Sequence, residues 1–343
     1  MIILGIETSC DDTGVSVYHS NKGILSNNIS SQTIVHAEWG GVYPDLAARE
    51  HTKNILPLLD KSLKDAGISL ENIDGIAVTV APGLIVSLII GISFAKSLSW
   101  SIKKPLIPVH HIEAHIFAIF LEKKIDFPFI SLVVSGGHTE LYLINKFENY
   151  LYIGGTLDDA VGEAYDKVAR MLGLGYPGGP IIDKLSRKGK ESIKFPRPLL
   201  NDKGKNKFNF SFSGLKSAVL REIEKGTYSK EDIAKSFQEA VVDVLVSKTI
   251  AASKKFNVNR IVIAGGVSAN SRLREKFYQE SKIHNLEVFF PPLYLCTDNG
   301  AMIAYAGYRR LVETGKTIDY EFEGKAKLRM DRFPEYLNIN LRA

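Results

Sequence analysis

The sequence predicts a duplicated α/β fold, in which two similar domains enclose a ligand cleft. Three observations support this. The chain has 343 residues, which is too long for one compact core and typical of two domains. A strand–loop–strand pattern occurs twice, with Ser9 aligned to Ser135 and Thr13 aligned to Thr139. A strand followed by a small-residue turn and a helix also occurs twice.

The repeated hairpin is the first element of each predicted domain. The first copy has strands at 2–6, 14–18 and 24–29, and the second copy has strands at 130–134, 140–144 and 150–154. Residues 7–13 and 135–139 form the connecting loops, which are short, polar and rich in hydroxyl groups. Such loops offer backbone N–H groups to anions. We therefore expect both loops to face a ligand.

The second repeated pattern places small residues between a strand and a helix. Strand 73–80 leads into Ala81-Pro82-Gly83, and strand 258–264 leads into residues 265–270, GGVSAN. Small residues at this position allow a phosphate or ribose to approach the backbone and the helix N-terminus. A nucleotide or an acyl-nucleotide fits these requirements better than a small metabolite.

Composition indicates the class of protein and the cellular compartment in which it functions. Apolar residues make up 45% and charged residues 24% of the chain, as in ordinary soluble proteins. The run at 84–90 is apolar but short, which predicts a buried helix rather than a membrane span. No basic, cleavable leader precedes the first strand, and Cys10 and Cys296 are too few for a disulfide framework. We expect a cytoplasmic protein without a membrane segment.

Positive charge is concentrated in one stretch. The net charge is only +5, which permits a nucleic-acid partner without requiring one. Residues 184–216 are predicted to be a loop-like basic insertion. The basic residues that crowd it are Lys184, Arg187, Lys188, Lys190, Lys194, Arg197, Lys203, Lys205 and Lys207. The sequence alone leaves two interpretations: a solvated loop, or a patch that meets a phosphate backbone.

A histidine-rich stretch, residues 110–115 (HHIEAH), follows the predicted strand 105–109 and begins a helix. His111 and His115 are four residues apart, so both side chains lie on one helix face. Two imidazoles at this spacing can form half of a metal site, and Asp298 can supply a carboxylate. The structural alternatives are a helix cap and a core histidine for the pair, and an N-cap for Asp298. With two neutral histidines and a carboxylate, the metal would be zinc or iron(II).

An acidic helix is predicted from 158 to 173, followed at once by the Gly/Pro-rich loop 175–180. Val161, Ala164, Val168 and Leu172 recur at helical spacing, and Asp166 falls on the opposite face. An exposed acidic face is the simple interpretation, but the adjoining loop suggests backbone kept open for a ligand. The helix that begins at Ser229 is interpreted as purely structural, and residues from 317 onward give no prediction.

Several of these motifs together resemble one known family, the TsaD/Gcp family of tRNA N6-adenosine threonylcarbamoyltransferases. The resemblance covers residues 2 to about 310 and rests on residues 5–13, 110–115, 134–139, 158–180, 212–216, 265–270 and 296–300. Residues 40–44 resemble the bacterial and mitochondrial branch. One departure is Ala81 in the first small-residue turn, where the family commonly has glycine.

The resemblance implies the actin–Hsp70–sugar-kinase (ASKHA) fold, and with it a division of the chain into domains. Residues 1–126, completed by helix 300–315, would form one domain, and residues 127–299 would form the other. The basic insertion 184–216 would belong to the second domain.

The resemblance also implies site residues. His111, His115 and Asp298 would bind one divalent metal, iron(II) or alternatively zinc. Contacts to an adenylate substrate would come from Val134, Ser135, Gly136, Gly137, His138, Asp166, Gly179, Asp183 and Asn270. Asp11 is a hypothetical proton acceptor, and its alternative role is to structure the first hairpin loop.

The implied reaction transfers L-threonylcarbamoyl from its AMP anhydride to N6 of the tRNA adenosine 3′ of the anticodon, position 37, in tRNAs that read codons beginning with A. AMP is the leaving group. The implied partners are tRNA, threonylcarbamoyl-AMP, a degenerate paralogous (TsaB-like) subunit and a small (TsaE-like) ATPase. A homodimer would replace the paralogue in a mitochondrial-type enzyme.

Three other functions fit these residues less well. An ATP-dependent kinase of the same fold would use magnesium and an aspartate rather than a histidine-held metal. A zinc protease helix needs glutamate directly after its first histidine, whereas Glu113 is one place later. A non-enzymatic nucleotide-binding scaffold would lack the metal ligands, which are present.

Overall fold

The computed structural model describes residues 1–340. These residues group into two compact units. Unit 1 comprises Met1–Ile125 and the described residues from Thr297 onward, and unit 2 comprises Asp126–Cys296. The chain therefore leaves unit 1 once and returns to it near the C-terminus. The predicted domain boundaries at 126 and 299 stay a prediction.

Unit 1 is built on a five-stranded mixed sheet with the order β3-β2-β1-β4-β5. Its strands are β1 (Ile2–Glu7), β2 (Asp12–His19), β3 (Gly23–Ser31), β4 (Gly75–Ala81) and β5 (Leu106–His110). β1 to β3 form an antiparallel meander, whereas β4 and β5 run parallel to β1. β4 and β5 are buried along their whole length, which explains their nearly continuous apolar sequence.

The helices of unit 1 cover this sheet. They are α1 (Thr33–Ala37), α2 (Pro44–Ala66), α3 (Ile85–Ile102), α4 (His111–Phe117), α10 (Gly300–Thr314) and α11 (Phe333–Asn340). The unit 1 core joins sheet residues to both ends of the chain. Phe333 and Leu337 of α11 are fully buried in it, although the C-terminal sequence gave no prediction.

Unit 2 repeats the same sheet topology, with the order β10-β9-β6-β7-β8. Its strands are β6 (Phe129–Val134), β7 (Thr139–Lys146), β8 (Asn149–Gly155), β9 (Arg260–Ala264) and β10 (Glu287–Phe289). β6 to β8 are an antiparallel meander, and β9 lies parallel to β6. The meander followed by parallel strands matches unit 1 element by element, so the predicted duplicated α/β fold is confirmed.

The helices of unit 2 are α5 (Val161–Met171), α6 (Gly178–Ser186), α7 (Ser213–Lys225), α8 (Lys230–Phe256) and α9 (Ser271–His284). α8 begins where the sequence predicts, because the Ser229 side chain accepts a hydrogen bond from the Asp232 N–H. The Gly/Pro-rich segment differs from its prediction as a loop. Its last residues, from Gly178, are the first turn of α6.

Helix α3 corrects the prediction of a short buried helix at 84–90. It extends over 18 residues with a mean hydropathy of 1.6, and by length and composition alone it could cross a membrane. A single such helix is weak evidence for a span, because core helices of soluble proteins pass the same test. α3 packs against β4 and α2, while Ile85, Ile89 and Trp100 are exposed on its other side.

Three glycines allow α10 to lie directly on the β1–β2 hairpin. A Cβ on Gly5 would lie 2.3 Å from the Gly300 carbonyl oxygen, and one on Gly14 would lie 2.7 Å from the Gly300 nitrogen. Even one methyl group at either position would force the backbones apart. The start of α10 is thereby held against the loop that joins β1 to β2.

Helices α4 and α10 are also joined by an ion pair within unit 1. The Arg310 guanidinium donates to the Glu113 carboxylate, and both side chains are fully buried. The Phe333 ring lies 4.7 Å from the guanidinium carbon. Removing one member of a buried ion pair leaves a charge without compensation, which costs far more than an exposed pair contributes.

We expect Glu113→Ala to lower the free energy of unfolding by about 3–5 kcal/mol, because Arg310 stays buried without its carboxylate. Urea denaturation measures this change. The matched control is the double variant Glu113→Leu with Arg310→Met, which removes both charges and should regain most of the stability. A loss below about 1 kcal/mol in the single variant, the range of an exposed pair, would contradict the expectation.

Candidate metal centre and ligand-binding loops

The histidine pair sits where strand β5 becomes helix α4. β5 ends at His110, and α4 begins at His111. His111 and His115 are one turn apart, and their ring centroids are 4.6 Å from each other. Both side chains are buried. The helical spacing predicted from the sequence therefore brings both imidazoles to one point.

Asp298 completes this group from the far end of the sequence. The N-cap of α10 is Asn299, whose side chain accepts a hydrogen bond from the Met302 N–H. Asp298 therefore does not cap the helix. Its Oδ1 lies 3.0 Å from His115 Nε2 and 3.5 Å from His111 Nε2. One donor atom from each of these three residues lies within 4.8 Å of the other two.

Glu7, which no pattern in the sequence identifies, orients His111. Its carboxylate is completely buried at the end of β1, and Oε2 lies 3.1 Å from His111 Nδ1. Thr79 Oγ1 donates to the same oxygen at 2.7 Å. Ser9 Oγ is also 3.1 Å from His111 Nδ1. Because Nδ1 is engaged here, Nε2 is the nitrogen directed at Asp298.

The charges of this cluster favour a cation. Burial disfavours the charged form of His111, but the carboxylates of Asp298 and Glu7 outweigh this effect and raise its pKa to about 9. Burial also opposes ionisation of Glu7, yet His111 lowers its pKa. Two carboxylates thus face one imidazole, and a positive charge must balance them. Without a metal, the proton on His111 supplies that charge.

The donor set fits a divalent transition metal. Two imidazole nitrogens and one carboxylate oxygen are ligands that zinc and iron(II) accept, and three protein ligands leave coordination positions open. A carboxylate on the second nitrogen of a ligating histidine is the usual supporting arrangement. The cluster of His111, His115 and Asp298 could therefore hold a metal ion.

The neighbouring polar residues of the histidine stretch have other partners. His110 Nε2 is 2.9 Å from the Leu328 carbonyl oxygen, and its ring packs against Phe333. Glu113 faces Arg310, away from the cluster. This geometry disagrees with a zinc-protease helix, in which a glutamate must reach the metal-bound water.

Two acidic residues where the first hairpin loop meets β2 have raised pKa values. Burial, more than any other cause, raises the pKa of Asp11. Burial and then the nearby Asp298 raise the pKa of Asp12 to about 7. Burial also raises the pKa of the Cys10 thiol well above its usual range, which disfavours the thiolate that metal binding requires.

In unit 2, the turn between β6 and β7 is open on one side. The Ser135 N–H donates to the His138 carbonyl at 2.9 Å, and Ser135 Oγ accepts from the His138 N–H at 3.1 Å. A Cβ on Gly136 or Gly137 would meet no atom within 4 Å. The turn therefore has a fixed shape and free space beside its backbone, as an anion-binding loop requires.

The small-residue turn after β9 lies beside this loop, because the carboxyl ends of parallel strands meet at one edge of a sheet. Gly265 has φ +87°, and a Cβ there would lie 2.5 Å from the Val134 carbonyl oxygen. The second repeated pattern in the sequence thus corresponds to a close contact between the ends of β6 and β9.

Two predicted residues define the start of α6. Asp166 Oδ1 accepts a hydrogen bond from the Gly178 N–H at 2.7 Å. A Cβ on Gly178 would lie 2.7 Å from the Asp166 Cα, so glycine is needed for this contact. The next residue, Gly179, has open space at its Cβ position. The hydrogen bond between Asp166 and Gly178 therefore joins the acidic helix to the Gly/Pro-rich segment, as their adjacency in the sequence suggested.

Asp183 and Asn270 belong to one buried network, which Gln238 connects. Gln238 Nε2 donates to Asp183 Oδ1 at 3.3 Å, and its Oε1 accepts from Asn270 Nδ2 at 2.8 Å. Ser271 Oγ also donates to Asp183 Oδ1, at 2.8 Å. Gln238 lies on α8, a helix interpreted from its apolar periodicity as purely structural. In the sequence, a polar Gln238 between the core residues Phe237 and Val241 was the only signal that could have revealed this network.

The predicted residues thus form two groups. His111, His115, Asp298 and Asp11 belong to unit 1. Val134 to His138, Asp166, Gly179, Asp183 and Asn270 belong to unit 2, around the ends of β6 and β9.

Comparisons with known proteins agree with these arrangements. The family model TsaD, tRNA N6-adenosine threonylcarbamoyltransferase, matches residues 23–305. Curated relatives with that name include proteins from Persephonella marina, 72% identical over 98% of both chains, and from Sulfurihydrogenibium sp., 67% identical over 98% of both chains.

Among solved structures, HypF from T. kodakarensis is similar with a TM-score of 0.63 at 16% identity, covering 92% of this chain and 48% of that one. At this identity the likeness concerns the fold alone. Together with the family match, it confirms the predicted ASKHA fold. The family model covers most of the chain, and the two bacterial relatives match nearly all of it at high identity. The chain belongs to the TsaD family of tRNA N6-adenosine threonylcarbamoyltransferases.

Proposed function

We propose that this protein transfers the threonylcarbamoyl group from L-threonylcarbamoyl-AMP to N6 of the adenosine 3′ of the anticodon in tRNAs that read codons beginning with A. AMP is released. The observation that carries the proposal is the His111–His115–Asp298 cluster, with both histidines buried, in a chain of this family. The reaction also needs a binding site for the adenylate. In this proposal the open turn between β6 and β7 and the Asp183–Gln238–Asn270 network, both in unit 2, supply it.

In this proposal His111, His115 and Asp298 hold one iron(II) ion, with zinc as the alternative. When bound, the ion would supply a Lewis acid that polarises a carbonyl or phosphoryl oxygen of the substrate. Glu7 keeps the Nε2 of His111 directed at the ion by accepting a hydrogen bond from Nδ1. Glu113 and Arg310 keep α4 in place behind the ligands.

The adenylate would bind to the residues gathered at the ends of β6 and β9. The turn from Val134 to His138 offers backbone N–H groups to the phosphate, since its glycines leave room for close approach. Asp166 fixes Gly178 and Gly179 at the start of α6, where a ribose could approach the backbone. Asp183 and Asn270 are held rigid through Gln238. A rigid site lowers the entropic cost of orienting the anhydride.

The chemical step needs little from the protein. The N6 amine attacks the carbamoyl carbon, the bond from that carbon to the phosphate oxygen breaks, and AMP leaves with the electron pair. The proton lost from N6 passes to a carboxylate, for which Asp11 in the first hairpin loop is the proposed acceptor. The pKa of Asp11 is raised by burial, and a raised pKa makes a carboxylate a stronger base near neutral pH.

We place the protein in the cytoplasm with two protein partners, a degenerate paralogous subunit and a small ATPase. The bacterial relatives favour this assembly over a homodimer. The exposed apolar residues Leu56, Ile85, Ile89 and Trp100 on α2 and α3 suit the paralogous subunit. A second copy of the same fold would present the equivalent pair of helices, and packing the two pairs together would bury these side chains.

His111→Ala and Asp298→Asn should each abolish threonylcarbamoyl transfer, because each removes one of only three protein ligands. The measurement is single-turnover transfer from purified threonylcarbamoyl-AMP to unmodified tRNA, with the partner proteins added. His284→Ala, at the end of α9, is the matched control and should retain full activity. A wild-type protein that forms no product under these conditions would refute the proposed function.

Glu7→Gln should weaken metal binding by about 10- to 100-fold, the usual effect of losing a supporting carboxylate. Competition with a chromophoric chelator measures the affinity, independently of catalysis. Thr79→Ser, which keeps the hydroxyl donor to Glu7, is the control and should bind metal normally. Equal affinity of Glu7→Gln and the wild type would show that Glu7 does not orient His111.

Gly137→Val should leave the melting temperature unchanged, since its Cβ meets no protein atom within 4 Å. The same side chain would fill the space offered to the adenylate, so AMP should bind at least about tenfold more weakly, a cost of roughly 1.4 kcal/mol. Isothermal titration with AMP and a thermal melt test the two halves of the expectation. Unchanged AMP affinity would place the adenylate elsewhere.

A further inference from the structure

The basic insertion contains a short loop of unpaired positive charge. Residues 199–207, called here the lysine loop, lie between α6 and α7 and contain no helix or strand. Lys203, Lys205 and Lys207 are all exposed. Within residues 1–340, none of these three ammonium groups lies within ion-pair distance of a carboxylate.

Two arginines of the insertion are paired. Arg187 contacts Asp183 at 3.2 Å. Arg197 donates to Asp243 on α8 at 3.0 Å and to Glu191 at 2.9 Å. Their charge is thus largely compensated within the protein. Four other exposed lysines of the insertion have no carboxylate within ion-pair distance among the described residues: Lys184, Lys188, Lys190 and Lys194. The lysine loop differs from that stretch in placing three such lysines within five residues.

A buried lysine anchors this loop to the core. Lys248 lies on α8 and is 2% exposed. Its Nζ donates to the carbonyl oxygens of Leu199 and Lys207, both at 2.8 Å, and of Asn206 at 3.4 Å. An ammonium has three N–H donors, and here the acceptors all come from the lysine loop. Burial lowers the pKa of Lys248, which reflects the cost of placing this charge away from water.

The chain on either side is anchored as well. Asp243, five residues before Lys248 on α8, holds Arg197. On the other side, the Phe210 N–H donates to the Gly155 carbonyl at 3.0 Å, and the Gly155 N–H donates to Asn209 Oδ1 at 3.2 Å. Desolvating an ion costs several kcal/mol. A loop that was merely exposed to solvent would need neither a buried ammonium nor these contacts.

We propose that the lysine loop binds the phosphodiester backbone of the RNA substrate, and that Lys248 is the positioning residue that holds the loop in shape for it. The inference rests on the proposed function, which makes RNA the substrate. Three uncompensated lysines on a fixed backbone match an array of phosphates. Binding releases condensed counterions, and a loop fixed in advance loses little conformational entropy when it binds.

The test compares two triple variants of the full chain. K203Q/K205Q/K207Q removes the loop charges, and K146Q/K254Q/K282Q removes three exposed lysines of unit 2 outside the loop. Fluorescence anisotropy gives the Kd of labelled unmodified tRNA at several NaCl concentrations. The loop variant should bind about 10- to 100-fold more weakly at 0.1 M salt, and the slope of log Kd against log salt should fall by about 2–3. The control should change both much less.

Lys248→Met tests the anchor separately. It keeps all three loop lysines and the aliphatic stem of residue 248, but it removes the buried ammonium. We expect trypsin to cleave within 199–207 faster than in the wild type, and tRNA affinity to fall although no surface charge has changed. Circular dichroism monitors the fold. If Lys248→Met does not fold, the triple variants still decide the main claim.

The outcomes distinguish this inference from the proposed function. Wild-type transfer activity combined with an unchanged Kd in K203Q/K205Q/K207Q overturns the lysine loop alone. Weaker binding without a smaller salt slope also overturns it, because phosphate contacts must release counterions. A wild-type protein that binds tRNA through the loop but transfers nothing refutes the proposed reaction and supports the RNA contact.

Discussion

The close approach of α10 to the β1–β2 hairpin is the constraint on which unit 1 depends. Gly5, Gly14 and Gly300 leave no room for side chains where helix and hairpin meet. Asp298 is only two residues before the start of α10, so its position follows from this contact. His111 and His115 are fixed by β5 and α4. Binding of a metal therefore requires fixed distances between β5, α4 and the start of α10. The glycines fix the position of the last of these, which carries Asp298.

Much of this architecture could be predicted from the sequence, because it depends on local periodicity and on repetition. The hairpin repeat predicted two copies of one topology, and the spacing of His111 and His115 predicted a shared helix face. The role of Glu7 could not be predicted in this way. Its partners, Thr79 and His111, are far away in the sequence, and only the pairing of β1 with β4 and of β4 with β5 brings them together.

Two further differences have the same physical origin. The length of α3 and the exposure of Ile85 and Ile89 depend on how this helix packs against α2 and β4. An apolar run in the sequence does not reveal which face of the helix packs. In α8, Gln238 and Lys248 interrupt an otherwise apolar pattern. Each is buried and hydrogen-bonded to other segments of the chain. The apolar periodicity of α8 shows only the face that carries Phe237 and Val241, and it therefore predicts a purely structural helix.

The order of elements along the chain has a consequence for biosynthesis. Unit 2 is inserted between the two parts of unit 1, and Asp298 follows His115 by 183 residues. During translation the two histidines emerge early, whereas the carboxylate and the α10 helix that places it emerge only after the whole of unit 2. The ribosome therefore synthesises the whole of unit 2 before the three candidate metal ligands can come together.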